Sequence, residues 1–396
     1  MFRFLTRFSL ILLLAFAQLL PCTKTFNSFK QSSTALINNH KTAAYIIAGT
    51  AIATPPIAAA TAFLYLKNKT ILPLKRLSSK NPTAEDIKAF LGFNPGFDPS
   101  HITITPQNTN QKIKVCFFSH GFGDLNRYDP ISVEKNILSI HFDYHYSENT
   151  HLTGGPGANI FKNAFGQDLD VLTLLCIVLS TYEKLKANGF SRENIDLNFF
   201  GHSMGAGATI NALETIAHPN DYKDIWKKLG CQIQCHKVIS KNSLSPEDEN
   251  DIKELASCIN NVYVACPLVS LEELIASKNI MKFKKNGTNY LHFLGKIAKI
   301  VLGLSNPKYN PFNPEPIDNL EKILKDQVNL PFKKMVINLA KIDNIVGNTC
   351  DNQLQDMAAQ YKAKNVSSIF EVNLGAEEEH CCIKATSQQL QIALNS

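Results

Sequence analysis

The stretch from Ile195 to Ala206 constrains the fold more than any other part of the chain. Ile195-Asp-Leu-Asn-Phe-Phe200 has the apolar and aromatic character of a buried strand, and Met204–Ala217 carries apolar residues at helical spacing. Only Gly201-His202-Ser203 separates the two. A strand that turns so abruptly into a helix must lay that helix back on its own sheet, which is the βα unit of a layered α/β fold. The same alternation runs through the rest of the chain. Strand-like runs are expected at His101–Thr105, Lys112–Ser119, Asn136–Phe142, Ile195–Gly201, Asn260–Pro267, Met335–Ala340 and Val366–Leu374. Helical patterns at Asp168–Ala187 and Met204–Ala217, and one from about Cys382, fall between and after them. The expectation is a mostly parallel central sheet with helices on both faces, spanning 101–396. Two polar excursions, 218–259 and 268–333, are longer than a crossover needs and read as insertions at the rim of one sheet, the second placed where it can form a cap.

Hydrophobic residues make up 44% of the chain and charged residues 19%, enough apolar material for a sizeable core, which excludes a disordered or collagen-like protein. The net charge of +6 is unevenly placed. Residues 1–80 hold ten Lys and Arg and no acid, which leaves 30 basic against 34 acidic residues for 81–396. An acidic body argues against nucleic acid as a partner, and the basic leader suits a place beside anionic lipid. Arg3 and Arg7 precede the apolar run Phe8–Ala17, so 1–22 reads as a signal-like or anchor segment. Thr42–Leu66 has no charge and is long enough to span a bilayer, although Pro55-Pro56 would kink it. Residues 67–100 then read as a linker that contains a short helix capped by Thr83 and closed by Gly92. Membrane association is therefore expected. The signal-like segment favours export and the flanking lysines favour a cytoplasmic body, so the side of the membrane stays open.

The chemistry concentrates in Gly201-His202-Ser203-Met204-Gly205-Ala206. A serine hydroxyl is a useful nucleophile only on a rigid mount that aims it at a base and at donors for an oxyanion. A sharp strand-to-helix turn supplies that mount, requires small neighbours such as Gly201, Gly205 and Ala206, and sets a helix N-terminus beneath the hydroxyl. On these residues the chain resembles the α/β-hydrolase superfamily, over about 101–396. The resemblance implies that the loop Ser119-His120-Gly121-Phe122-Gly123 supplies an oxyanion donor, the backbone N–H of Phe122, to pair with that of Met204. It implies an acid after the strand Met335–Ala340, where Asp343 lies, with Asp351 as close competitor and Glu272 or Glu273 as weaker ones. It implies a base beyond the last strand, and His380 is the histidine C-terminal to Asp343. The order Ser203, Asp343, His380 matches the superfamily template.

The resemblance implies a serine hydrolase acting on a small-molecule or lipid ester through an acyl-enzyme, with no metal or organic cofactor. Acyl transfer, thioester cleavage or peptide cleavage would use the same residues, and an inactive hydrolase-like module held at a membrane is the competing class. Cys231, Cys235 and His236 have crude ligand spacing but lack a second pair, so no metal is expected. Thr153-Gly-Gly-Pro-Gly157 lacks the Gly-Lys-Ser/Thr ending of a phosphate loop and reads as a plain loop. Within 268–333, Leu294, Ile297, Ile300, Val301 and Leu304 fall at helical spacing with Lys296 and Lys299 among them. That amphipathic pattern reads either as a helix packed on the sheet with a solvated lysine face or as a lid whose lysines meet an anionic bilayer.

Overall fold

A computed structural model describes residues 83–102, 111–121, 137–144, 165–229, 244, 246–271, 274, 299–300, 313–326, 328–340, 351–363, 369–375 and 383–395. Six strands form one sheet: β1 (Ile113–Ser119), β2 (Ile137–His141), β3 (Ile195–His202), β4 (Ile259–Ala265), β5 (Lys334–Leu339) and β6 (Phe370–Leu374). Their order is β2-β1-β3-β4-β5-β6 and every neighbouring pair is parallel. The chain moves from β1 outward to β2, then crosses back over β1 to β3 and continues to the other edge. The winding therefore reverses between β1 and β3, and the crevice beyond the carboxyl ends of such a strand pair is where open α/β sheets bind ligands.

Period-two alternation explains how the sheet buries both faces. Phe117 pairs with Phe199 and Phe118 with Phe200 in the β1–β3 register. The first pair packs on one face with ring centroids 5.3 Å apart, the second on the other at 5.5 Å. All eight residues of β3 are buried. On the first face lie α2 (Asp168–Ala187) and α3 (Met204–Ala217), whose boundaries are those expected from the sequence. The second face carries Cys116, Phe118, Phe200, Tyr263 and Val336, covered by Leu390 and Leu394 of α8 (Ile383–Asn395).

Helix α1 (Ala84–Leu91) has the expected ends. The Asp86 N–H donates to Thr83 Oγ1 at 3.3 Å, the Thr83 N–H donates to Asp86 Oδ2 at 2.9 Å, and Gly92 closes the helix at φ 76°. Its apolar side, Ile87, Phe90 and Leu91, joins the core of the first face, so this part of the 67–100 segment packs on the body instead of running free of it. The strand expected at His101–Thr105 does not begin at His101. Asp98 Oδ1 accepts from the Ser100 N–H at 2.9 Å, Pro99 stands in the first turn, and Pro99–His101 closes as a 3₁₀ turn.

The two expected insertions contain packed helices. Segment 218–259 holds α4 (Lys223–Leu229) and α5 (Pro246–Ser257) and ends in the start of β4. Segment 268–333 holds α6 (Pro316–Lys325), which lies on α3. The contact is polar as well as apolar. Glu214 of α3 is fully buried and meets Lys322 Nζ at 2.5 Å and His218 Nδ1 at 2.8 Å, while Lys322 also meets Asp221 at 2.6 Å. Burial works against the Lys322 charge, but the carboxylates of Asp221 and Glu214 hold its ammonium above the usual lysine value. The lid reading of Lys299 is corrected here: it is only 8% exposed and forms an ion pair with Glu315, directly before α6. A buried ammonium needs a partner, so Lys299 faces inward and not toward solvent or lipid. Helix α7 (Asp351–Ala363) packs Leu354, Met357 and Tyr361 near β6.

Among the described residues no helix is long and apolar enough to cross a membrane. The segments 1–22 and 42–66 lie outside the described residues.

Candidate active site

Ser203 stands on the junction of β3 and α3 at φ 52° and ψ −115°. A non-glycine residue at positive φ is uncommon and costs on the order of 1–3 kcal/mol, so the surroundings must over-determine it. Three main-chain bonds do so. The Ser203 N–H donates to the Ala265 carbonyl at 3.0 Å, and the Ser203 carbonyl accepts from Leu268 N–H at 3.0 Å and from Gly207 N–H at 3.3 Å. The end of β4 and the first turn of α3 thus clamp the residue from two sides. Cys266, between Ala265 and Leu268, is itself at φ 44° and gives its N–H to the Asn338 carbonyl at 2.8 Å. The strain at the serine is matched by strain in the neighbouring strand's exit.

The small neighbours are required by contact. A Cβ on Gly201 would fall 2.7 Å from the Ala206 Cα, because the chain doubles back on itself. A Cβ on Gly205 would fall 2.5 Å from the carbonyl oxygen of His120 and closer still to that of Ser119. Helix α3 therefore rides directly on the exit of β1. That contact brings the start of the expected oxyanion loop, through the buried Gly121, against the turn that carries Ser203 and Met204. Met204 is the first residue of α3, and the first N–H groups of a helix have no partner within it.

His120 holds the loop in place. Its Nδ1 lies 2.8 Å from the Gly121 carbonyl, and its Nε2 accepts the Tyr144 N–H at 3.2 Å. An Nε2 that accepts leaves the ring proton on Nδ1, donated to Gly121, so His120 is a tether between the exits of β1 and β2. Asp143 Oδ1 approaches Nε2 at 3.7 Å. With both ring nitrogens engaged and the ring fully buried, His120 is not placed to act as base. His218 lies between Glu214 and Asp326, at 2.8 and 3.2 Å, in the α3–α6 contact.

Of the residues expected to carry the chemistry, Ser203, Met204, Gly121, Gly201 and Gly205 are thus brought together at the exits of β1 and β3. Phe122, Gly123, Asp343 and His380 lie outside the described residues, as do Glu272 and Glu273. The acid's competitor Asp351 is the first residue of α7, where a carboxylate complements the helix dipole. Sequence patterns alone assign no role to the His120 ring, to the Cys266 turn or to the polar Asn338 within a buried strand. The last of these leaves a signal, since an amide inside Met335-Val-Ile-Asn-Leu339 breaks an otherwise apolar run. Cys116, Cys176 and Cys258 are free and buried, and Cys266 is buried. Burial pushes the Cys116 thiol well up and that of Cys176 to about 12, so these two are core thiols and not nucleophiles.

No protein-family model matches the chain, and no curated protein sequence matches it. Solved structures do. The butyrate-bound esterase Est2 from Thermogutta terrifontis is 13% identical, with 74% of this chain and 84% of that one covered and a TM-score of 0.36. Esterase B from Lactobacillus rhamnosis is 12% identical over 73% of this chain and 76% of its own, with a TM-score of 0.36. Acyl-protein thioesterase 2 from Zea mays is 11% identical over 74% and 96%, with a TM-score of 0.32. The fold rests on the strand order and on the turn, and not on these likenesses. An all-parallel sheet with its winding reversed between β1 and β3, and a strained serine between β3 and the helix after it, is the α/β-hydrolase fold.

Proposed function

We propose that this protein is a serine hydrolase that cleaves carboxylic esters. The observation that carries the reading is the backbone of Ser203: a serine held at φ 52° by three main-chain bonds, on the turn into a helix, at the winding reversal of the sheet. In this reading Ser203 Oγ attacks the acyl carbonyl while His380 takes its proton and Asp343 stabilises the resulting imidazolium. The N–H groups of Met204 and Phe122 would hold the oxyanion. Collapse expels the alcohol, which receives the proton from His380, and water then releases the acyl group by the same steps in reverse. The segments 1–22 and 42–66 would keep this body at a membrane, where lipid esters are within reach.

A series of p-nitrophenyl esters of increasing chain length tests the reading. Wild-type protein should turn over one or more of them, and Ser203→Ala should lower kcat by about 10³-fold or more. Asp343→Ala and His380→Ala should each lose most turnover, without additivity among the three. Near-normal turnover by folded Ser203→Ala would contradict the mechanism.

A further inference from the structure

We propose that Asn338 is a positioning residue that sets the ends of β5, β6 and α8, the elements flanking Asp343 and His380 in sequence, in register with the nucleophile turn; this rests on the roles given above to Ser203, Asp343 and His380. Asn338 is 3% exposed, near the end of β5, where an amide is costly unless its donors and acceptor are used. They are used across three elements. Its Nδ2 donates to Thr386 Oγ1 at 2.9 Å and to Gln389 Oε1 at 2.8 Å, both on one side of α8. Its Oδ1 accepts from Asn373 Nδ2 at 3.2 Å, on β6. Its backbone carbonyl takes the Cys266 N–H at 2.8 Å, next to the residue whose carbonyl takes the Ser203 N–H.

The chain connectivity gives this hub its meaning. Asn373 and Thr386 stand on either side of His380 in sequence, so the described chain before and after it is tied to one side chain. Asp343 follows Asn338 in sequence, beyond the end of β5. Through Cys266, the hub also reaches the clamp on Ser203. A single buried amide therefore joins the elements that deliver all three groups.

Asn198 provides the contrast. It is also an asparagine buried in a central strand, with Nδ2 at 3.3 Å from the Val115 carbonyl and 3.2 Å from that of Asp196, and Oδ1 accepting from Asn261 N–H and Nδ2 at 3.2 and 2.9 Å. Its bonds join β1, β3 and β4 midway along the sheet, where the β3–β4 register shifts, and they reach none of the loops that carry candidate residues.

The test uses the full chain with Asn338→Leu, Thr386→Val and Asn198→Leu. Turnover of p-nitrophenyl butyrate, its pH profile and the thermal midpoint are measured for each. Asn338→Leu should lower kcat by about 10- to 100-fold, the scale of a roughly 1 Å misplacement, while KM changes by less than about three-fold. The acid limb of its kcat/KM profile should also move, because the environment of the base changes. Thr386→Val should lower kcat less, and the double variant should be no worse than Asn338→Leu alone, since both remove one connection. Asn198→Leu should lower the thermal midpoint and leave kcat unchanged. An unchanged kcat and pH profile in Asn338→Leu, or an equal kcat loss in Asn198→Leu, would overturn the inference. If Asn338→Leu does not fold, Thr386→Val decides alone, and a kcat and pH profile equal to wild type would overturn it. Turnover that survives Ser203→Ala would overturn the reading of the site itself, which separates that failure from one confined to Asn338.

Discussion

The exit of β3 and the exits of β5 and β6 are held by different means. At Ser203 the restraints are main-chain hydrogen bonds to Ala265, Leu268 and Gly207, plus the backbone contact at Gly205. Around the elements that lead to Asp343 and His380 one main-chain bond, from the Gly375 N–H to the Leu339 carbonyl at 2.7 Å, is joined by a cluster of side chains, with Asn338 binding Thr386, Gln389 and Asn373. Main-chain restraints do not depend on which side chains are present, apart from glycines that must stay small. Side-chain restraints can be cut one at a time. The side with the proposed nucleophile should therefore respond to substitution by failing outright, whereas the side proposed to carry acid and base should respond in degrees.

The largest expected effect tests the first half of that contrast. Gly205→Ala places a Cβ against two carbonyl oxygens of the β1 exit, with backbone on both sides of the clash. It should cost about 3 kcal/mol or more of stability, read by urea denaturation, and remove activity with it. A folded, active Gly205→Ala would mean that the turn is looser than the contact implies.

Next in size are the two paired lysines of the α6 region. Lys299→Met leaves Glu315 without its cation in a site 6% exposed and should cost on the order of 3 kcal/mol. Lys322→Met leaves the buried Glu214 with His218 alone and removes a cation that is 44% exposed, so about 1–2 kcal/mol is expected. The pH dependence has a definite sign. A lysine raised above 10.5 in the folded state contributes its full stabilisation below that value and loses it as pH rises through the folded pKa. The gap between wild type and Lys322→Met should thus be constant at neutral pH and close only in strong alkali. Neither substitution should change kcat if α6 is a strut and not part of the site. The smallest effect is expected from deleting residues 1–80. On the expectation that 1–80 is leader, anchor and linker, melting and turnover should stay within error and only sedimentation with membranes should be lost.

Sequence is most informative where local rules act alone. The Thr83 and Asp86 capping pair, the limits of α2 and α3, and the serine turn are all readable because each is decided by neighbours along the chain. His101 departs from the strand expected there because the Asp98-Pro99-Ser100 turn outweighs the strand pattern of residues 102–105. Lys299 departs from the solvent- or lipid-facing position that both readings gave it for a different reason. Its helical spacing marks a polar position, but only the three-dimensional approach of Glu315 shows that the position faces inward. The part played by Asn338 depends on contacts with residues far along the chain, and no window of sequence displays them. The strained Cys266 is harder still, since a residue before proline ordinarily avoids such backbone. Asp343 and His380 rest on the order that the superfamily resemblance implies, and both lie outside the described residues.

Labelling with a fluorophosphonate probe tests the activation of Ser203 most directly, because the probe phosphonylates a serine made nucleophilic by its surroundings. Folded wild-type protein should gain one adduct, mapped by mass spectrometry to the peptide that contains Ser203, and Ser203→Ala should gain none. Folded wild-type protein that stays unlabelled, or an adduct on another residue that persists in Ser203→Ala, would contradict the account.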